Sequence, residues 1–135
     1  MEIKYRNPLY YIDSNFVLCG SSSLEFMGYF SGYTQVSEIF VYAVNTSICP
    51  QFGVNVIGPL DNIRFEESCG VKYTTFEQTI NDMLRDERLE DPQAIMEALN
   101  EYLYQYENPE PQINPENHEK YLMYKDLCKD NYSGG

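Results

Sequence analysis

Residues 74–106 read TTFEQTINDMLRDERLEDPQAIMEALNEYLYQY, and this stretch has the clearest helical periodicity in the chain. Apolar residues recur in it at the spacing of one helix face. The first apolar stripe consists of Phe76, Ile80, Met83 and Leu84. The second consists of Ile95, Met96, Leu99, Tyr102, Leu103 and Tyr106. Between them, Asp91-Pro92 has the pattern of a cap residue followed by proline at the first helical position. The stretch therefore predicts two consecutive amphipathic helices.

The predicted ends of these helices follow from capping and breaking signals. The first helix is expected to begin near Thr74 or Thr75, because Thr74 and Glu77 have capping-box spacing. The second is expected to end at Tyr106, before the proline-rich run that starts at Asn108. A second cap-then-proline signal, Asn114-Pro115, predicts a third helix that ends near Lys129. One face of that helix would carry Tyr121, Tyr124, Leu127 and Cys128.

The chain before residue 74 has the short apolar and alternating runs that are typical of strands. The candidate strands are segments 9–19, 24–30, 36–44, 52–57, 63–66 and 71–73. Segment 9–19 contains a turn at Asp13-Ser14-Asn15 and reads as a hairpin or a bent strand. Segment 36–44 is apolar on both strand faces, which favours a central strand. Gly20-Ser21-Ser22-Ser23 is interpreted as a loop.

These elements predict one α+β domain over residues 1–135. We expect an antiparallel sheet of about five strands in the N-terminal half, covered by about three C-terminal helices. Residues 1–73 would be mainly β, residues 74–130 mainly α, and residues 131–135 a flexible tail. The connections between the strands look too short for helical crossovers, which is why an antiparallel sheet is predicted.

The chain is strongly acidic, with 21 acidic and 9 basic residues and a net charge of −12. Most of the imbalance lies after residue 60. Such a field repels nucleic acid and anionic membranes and attracts basic surfaces. Direct binding to nucleic acid or to a membrane is therefore disfavoured, and a basic protein or nucleoprotein partner is favoured. The alternative is that the charge only keeps the protein soluble.

Carboxylates form rows on the predicted helices. Asp82, Asp86 and Glu90 are spaced four residues apart, and such like-charge pairs cost a few tenths of a kcal/mol each without evident compensation. On the second helix, Glu97 and Glu101 lie opposite the apolar stripe beside Tyr104. We therefore predict that one partner-binding surface contains Asp82, Asp86, Glu90, Glu97, Glu101 and Tyr104.

One such row is too sparse to imitate DNA. A helix rises about 6 Å per four residues, whereas a DNA strand carries one charge per about 3.4 Å. Two helices side by side would come closer to that density. A mixed acidic and aromatic patch, to which exposed tyrosines add apolar contact, therefore fits better than pure phosphate imitation.

No residues are predicted to be catalytic, to hold a cofactor or to bind a metal. The four cysteines, Cys19, Cys49, Cys69 and Cys128, form no Cys-x-x-Cys pair, so zinc is not expected. They are interpreted as free, mostly buried thiols of a reducing cytoplasm. Neither a signal peptide nor a membrane-spanning run is recognised. The expected location is cytoplasmic, in the host cell if the protein is viral.

Three alternatives stay open. One is a small-molecule pocket between the sheet and the helices, around Tyr29, Tyr33 and Tyr42. Another is a small enzyme that combines the lone histidine, His118, with a cysteine brought close by the fold. Gly-x-Ser-x-Gly is absent, however, and the Gly20 loop lacks the Lys-Ser/Thr ending of a phosphate-binding loop. The last alternative is a homodimer that pairs apolar or tyrosine-rich surfaces.

In general character, the chain resembles small acidic phage-encoded inhibitors such as anti-CRISPR and DNA-mimic proteins. The resemblance covers the composition and the 74–130 region, with its carboxylate rows and absence of enzyme motifs. It matches no motif residue by residue and assigns no site. It implies a non-enzymatic interaction protein that inhibits a basic, nucleic-acid-handling partner.

Overall fold

The computed structural model describes residues 15–32, 38–44 and 54–128. The strands in these residues are β1 (Phe16–Leu18), β2 (Ile39–Ala43), β3 (Val54–Pro59), β4 (Phe65–Ser68) and β5 (Val71–Thr74). The α-helices are α1 (Gly20–Met27), α2 (Phe76–Arg85), α3 (Pro92–Leu99) and α4 (His118–Cys128). A π-helical segment, Asn100–Gln105, continues α3, and a 3₁₀ turn, Pro115–Asn117, leads into α4. The α+β class is as predicted.

Some predictions fall outside the described residues. These are the first arm of the N-terminal hairpin, the pocket residue Tyr33, the loop that contains Cys49 and the flexible tail at 131–135. Among the described helices, none is both long enough and apolar enough to cross a bilayer.

The five strands form a mixed sheet in the order β3-β2-β1-β5-β4. β1 pairs antiparallel with β2, and β4 pairs antiparallel with β5, but β1 lies parallel to β5 and β2 lies parallel to β3. The prediction of an antiparallel sheet is therefore wrong. The return from the end of β2 to the start of β3 spans only the length of a five-residue strand, roughly 17 Å, so the spacing between these strands did not require an antiparallel pair.

Helix α1 occupies the segment that was predicted as a loop followed by a strand, so the helices are not all C-terminal. An eight-residue helix depends on tertiary contacts. The Ser23 hydroxyl donates to the Thr74 carbonyl at 2.8 Å, and the Ser22 hydroxyl accepts from the Phe40 amide at 3.0 Å. Gly20 has φ +57°, and a Cβ there would lie 2.9 Å from a Leu89 methyl carbon. The serines and the glycine thus fix a helix rather than a loop.

The helix boundaries after residue 74 agree closely with the capping signals. Asp91 accepts from the Ala94 amide at 3.1 Å and caps α3, as predicted. The cap of α2 is Thr75, whose hydroxyl accepts from the Gln78 amide. The predicted capping box at Thr74 is wrong because Thr74 ends β5 and its buried hydroxyl bonds to Thr79 at 2.6 Å.

The two strands β1 and β2 are buried on both faces of the sheet. Val17 and Tyr42 belong to the main core, where α1 to α4 pack, whereas Leu18 and Val41 belong to a second cluster on the opposite face. Successive strand residues point to opposite faces, which explains this division. β2 lies between β1 and β3 and is almost entirely buried, so the predicted interior strand is confirmed. This arrangement places α2 against β2.

Candidate functional site

The first residue of the predicted acidic row, Asp82, is fully buried. Its Oδ1 accepts from Gln78 Nε2 and from an Arg85 guanidinium nitrogen, each at 2.9 Å. The Tyr42 hydroxyl of β2 lies beside the carboxyl group and favours its charged form, whereas Asp82 Oδ2 has no hydrogen-bond partner. The expectation that Asp82 lies on an exposed face is therefore wrong. The four-residue spacing placed it on a helix flank that packs against the sheet.

Burial determines the electrostatics of this carboxyl group. It raises the pKa of Asp82, and the hydrogen bonds and the charge of Arg85 offset only part of that rise. Burial and the neighbouring Asp82 also raise the pKa of Tyr42. Asp82 is thus a core carboxyl group with one unsatisfied oxygen, and it is not exposed for contact with a partner.

Asp86, the C-cap residue of α2, is bound by Arg88, two residues further along the chain. Arg88 donates to Asp86 Oδ1 at 3.0 Å and to Oδ2 at 2.6 Å, and it also donates to the Ile57 carbonyl at 3.1 Å. The hydrogen bonds from Arg88 hold the pKa of Asp86 below its ordinary value. This pair ties the end of α2 to β3.

Glu90 is held by α4. Lys120 Nζ donates to one carboxylate oxygen and the Tyr124 hydroxyl to the other, both at 2.6 Å. Burial alone would raise the pKa of Glu90, but these hydrogen bonds outweigh it and lower the pKa. Each carboxylate in the row therefore has its own cationic partner, and the expected uncompensated repulsion is absent.

Replacing Asp82 by asparagine is expected to raise the free energy of unfolding at pH 7 by about 1 kcal/mol, the scale of one unsatisfied buried polar group. The amide keeps the acceptor oxygen and removes the buried charge. Because the folded-state pKa of Asp82 is raised, its ionisation lowers stability as the pH rises from its ordinary value of 3.8 through the folded pKa. The gain should therefore shrink as the pH falls toward 4 in urea unfolding measurements.

Asp86→Asn is the matched control with the opposite sign. The lowered pKa of Asp86 means that its stabilising effect is present at neutral pH and is lost as the pH falls below 3.8. This variant should lose about 0.5–1 kcal/mol at pH 7, as for other partly exposed ion pairs. Equal losses in both variants at pH 7 would contradict the account of Asp82.

The other three residues of the predicted partner-binding surface, Glu97, Glu101 and Tyr104, do not all lie together. Glu97 accepts from the Ser31 amide at 2.9 Å, and Glu101 lies one helical turn further along. Neither forms an ion pair with any residue in the described ranges. Tyr104 is half-buried against the core, close enough to Tyr121 to contribute to the raised pKa of that residue. The structure thus keeps Glu97 and Glu101 together and turns Tyr104 toward α4.

The π-helical segment changes which tyrosine is exposed. The Tyr106 amide donates to the Glu101 carbonyl at 2.9 Å, the five-residue reach of a π turn. Tyr106 was predicted to lie on the apolar inner stripe, but 62 % of it is exposed. The prediction is wrong because it continued the 3.6-residue α period, whereas the wider turn rotates Tyr106 out of the stripe. A π turn at this position is a feature that often marks a functional site.

Aromatic rings hold this region together. Phe76 and Tyr102 stack with centroids 3.8 Å apart, and Tyr29 packs edge-on against both. Tyr29 also contacts Tyr106, with centroids 5.9 Å apart and the rings nearly perpendicular. The exposed ring of Tyr106 therefore rests on the partly buried ring of Tyr29, which packs on Phe76 and Tyr102 in a geometry that aromatic pairs favour.

We use the name acidic–aromatic surface for Tyr29, Glu97, Glu101, Tyr106 and Glu107. Sequence reasoning found Glu97 and Glu101 but missed the other three. The available signal was the alternating run Tyr102-Leu103-Tyr104-Gln105-Tyr106 before the helix stop, which supplies more tyrosines than one inner face can bury.

A pocket of about 320 Å³ lies beside α2 and the β3–β4 connection. Its lining includes Tyr42, Ile57, Gln78, Arg85, Asp86 and Arg88. Tyr29 belongs instead to the ring cluster, so the structure does not bring Tyr29 and Tyr42 into one pocket.

The candidate nucleophiles of the enzyme alternative lie in unfavourable surroundings. Cys19 and Cys128 are buried free thiols, and Cys69 is exposed. Burial raises the pKa of Cys19 and raises that of Cys128 to about 11, opposite to the shift that activates a thiol. His118 is exposed at the start of α4. Within the described ranges, no three His, Cys, Asp or Glu side chains are grouped to hold a metal ion.

Comparison of the chain with family models, with curated proteins and with solved structures finds no match.

Proposed function

We propose that the protein is a non-enzymatic interaction module that docks its acidic–aromatic surface onto a basic, nucleic-acid-handling partner, in the manner of an anti-CRISPR-type inhibitor acting in the host cytoplasm. The proposal rests on the exposed ring of Tyr106, which packs on the partly buried ring of Tyr29 beside carboxylates that no described cation pairs with. Tyrosine is among the residues enriched at protein interfaces, where one such anchor often dominates affinity.

The contrast between the two groups of carboxylates supports this location. Within the fold, cations neutralise the three carboxylates of the row. The pairs are Asp82 with Arg85, Asp86 with Arg88, and Glu90 with Lys120. Glu101 and Glu107 form no such pairs with the described residues. Their charge is available to attract a basic surface over distances of about 10 Å at 0.1 M salt.

The proposal is tested by a pull-down from the native host with the tagged full chain at low and high salt. The wild type should capture a basic nucleic-acid-handling protein at low salt and release most of it at high salt. A variant carrying Glu101→Lys and Glu107→Lys should capture little at either salt concentration.

The matched control carries Glu66→Lys and Glu67→Lys, which make the same change in net charge on the exposed edge strand β4. This control should capture nearly as much as the wild type. Equal loss in both double variants would mean that only net charge matters, and no loss in either would remove the surface from the proposal.

Small-molecule binding is the second candidate function, favoured by the pocket beside Tyr42 and by the two guanidinium groups in its lining. Native mass spectrometry of protein purified from its host distinguishes it. A bound metabolite that is lost on Arg85→Ala would support this candidate, and a bare chain mass would count against it.

A further inference from the structure

Helix α4 is apolar on two sides. Its inner side buries Tyr121, Tyr124 and Cys128 in the main core. Its outer side exposes 45 % of Leu122, 47 % of Met123 and 38 % of Leu127. These are half of the large hydrophobic residues that are exposed in the described part of the chain. The inner side packs into the main core, whereas the outer side presents apolar side chains to solvent.

The exposed residues share one face. On an α-helix, positions 119, 122, 123, 126 and 127 fall within an arc of about 140°. The face therefore consists of Leu122, Met123 and Leu127 together with Glu119 and Asp126, and we call it the outer face of α4. The two carboxylates are seven residues apart, which corresponds to about 10 Å along the axis.

Both lysines of α4 pair with carboxylates outside this face. Lys120 binds Glu90 at 2.6 Å, and Lys125 binds Glu110. Glu119 and Asp126, by contrast, form no ion pair with any residue in the described ranges. The outer face thus combines apolar side chains with two carboxylates that pair with no cation among the described residues.

We propose that the outer face of α4 is a second docking site, which takes a basic amphipathic helix of a partner protein. Apolar residues of such a helix would cover Leu122 and Met123, and its lysine or arginine side chains would pair with Glu119 and Asp126. A second copy of this chain fits poorly, because the same carboxylates would face each other across the interface and the chain carries −12.

This inference goes beyond the proposed function because the outer face of α4 shares no residue with the acidic–aromatic surface. The two are therefore separable by substitution. Exposed residues at both sites also allow variants that leave the core intact.

The test uses a fluorescent amphipathic peptide of about 18 leucine and lysine residues, long enough for five helical turns. Anisotropy measures its affinity for the full chain. Leu122→Ser with Met123→Ser, and separately Glu119→Lys with Asp126→Lys, should each weaken binding at least about tenfold.

Two control variants carry matched changes on the edge strand β4. Phe65→Ser, and separately Glu66→Lys with Glu67→Lys, should change the affinity for the peptide less than about twofold. A scrambled peptide of identical composition should bind at least about tenfold more weakly.

Several results would overturn the inference. They are no binding by the amphipathic peptide, equal binding by the scrambled peptide, or equal losses in the control variants. A loss confined to Glu101→Lys with Glu107→Lys would assign the peptide to the acidic–aromatic surface instead. Dimerisation through this face, seen by sedimentation velocity and lost on Leu122→Ser, would make a second copy the occupant.

Discussion

Replacing Phe76 by alanine is expected to lower the free energy of unfolding by about 3–5 kcal/mol, the usual range for truncating a buried aromatic residue. Phe76 is 7 % exposed, stacks on Tyr102 and makes an edge-to-face contact with the ring of Tyr29. Its loss removes ring contacts between the start of α2, the Tyr29 loop and the π-helical segment. Urea unfolding followed by circular dichroism measures the change.

The matched control for this prediction is Phe65→Ala on the edge strand β4. Phe65 is 40 % exposed, so its truncation should cost less than about 1.5 kcal/mol. If Phe76→Ala cost no more than Phe65→Ala, the ring cluster would not be a stabilising element of the fold.

Replacing Tyr106 by alanine is expected to leave the free energy of unfolding within about 0.5 kcal/mol of the wild type, as for surface positions. Its affinity for the captured partner should fall by about 2 kcal/mol, a factor of about 30. The reason is that Tyr106 is 62 % exposed and touches the cluster at one edge only. Isothermal titration calorimetry with the purified partner measures the affinity.

Tyr106→Phe separates the ring from its hydroxyl. The phenyl ring retains most of the apolar contact area, so this variant should stay within about tenfold of the wild type if the ring is the anchor. An unchanged affinity for Tyr106→Ala would exclude Tyr106 as an anchor. Together with Phe76→Ala, these variants distinguish rings that stabilise the fold from the ring proposed to bind.

The parts of the fold that were predictable carry local signals. The apolar spacing from Phe76 to Leu84 and the cap at Asp91-Pro92 placed α2 and α3, because both signals act within a few residues. The candidate strands on either side of Cys69-Gly70 gave β4 and β5 in nearly their observed positions. Strand direction elsewhere depends on packing between distant segments, so β1 beside β5 was not predictable from spacing.

Helix α1 was also not predictable from local sequence signals. The alternation from Leu24 to Phe30 imitates a strand, and Ser21 to Ser23 favour turns when judged by local preference. Their helix forms because Ser22 and Ser23 bond to Phe40 and Thr74, which are far away in sequence. Tertiary contacts thus outweigh local preference at this position.

The candidate site was predictable only in its charge. Periodicity placed Asp82, Asp86 and Glu90 in one row but could not show that Asp82 faces Tyr42 or that Lys120 reaches Glu90 from α4. The π turn at Asn100–Gln105 departs from the 3.6-residue period on which the prediction depended, and it rotates Tyr106 outward. Glu97 and Glu101 stay in the proposed surface, whereas the residues on and just after α2 leave it.

The affinity of the purified partner at low and high salt tests the central claim most directly. We expect the wild type to bind the partner at least about tenfold more weakly at high salt. Glu101→Lys with Glu107→Lys should weaken binding at least about tenfold at low salt and remove most of the salt dependence. Identical affinities for the wild type and this variant at both salt concentrations would contradict the claim.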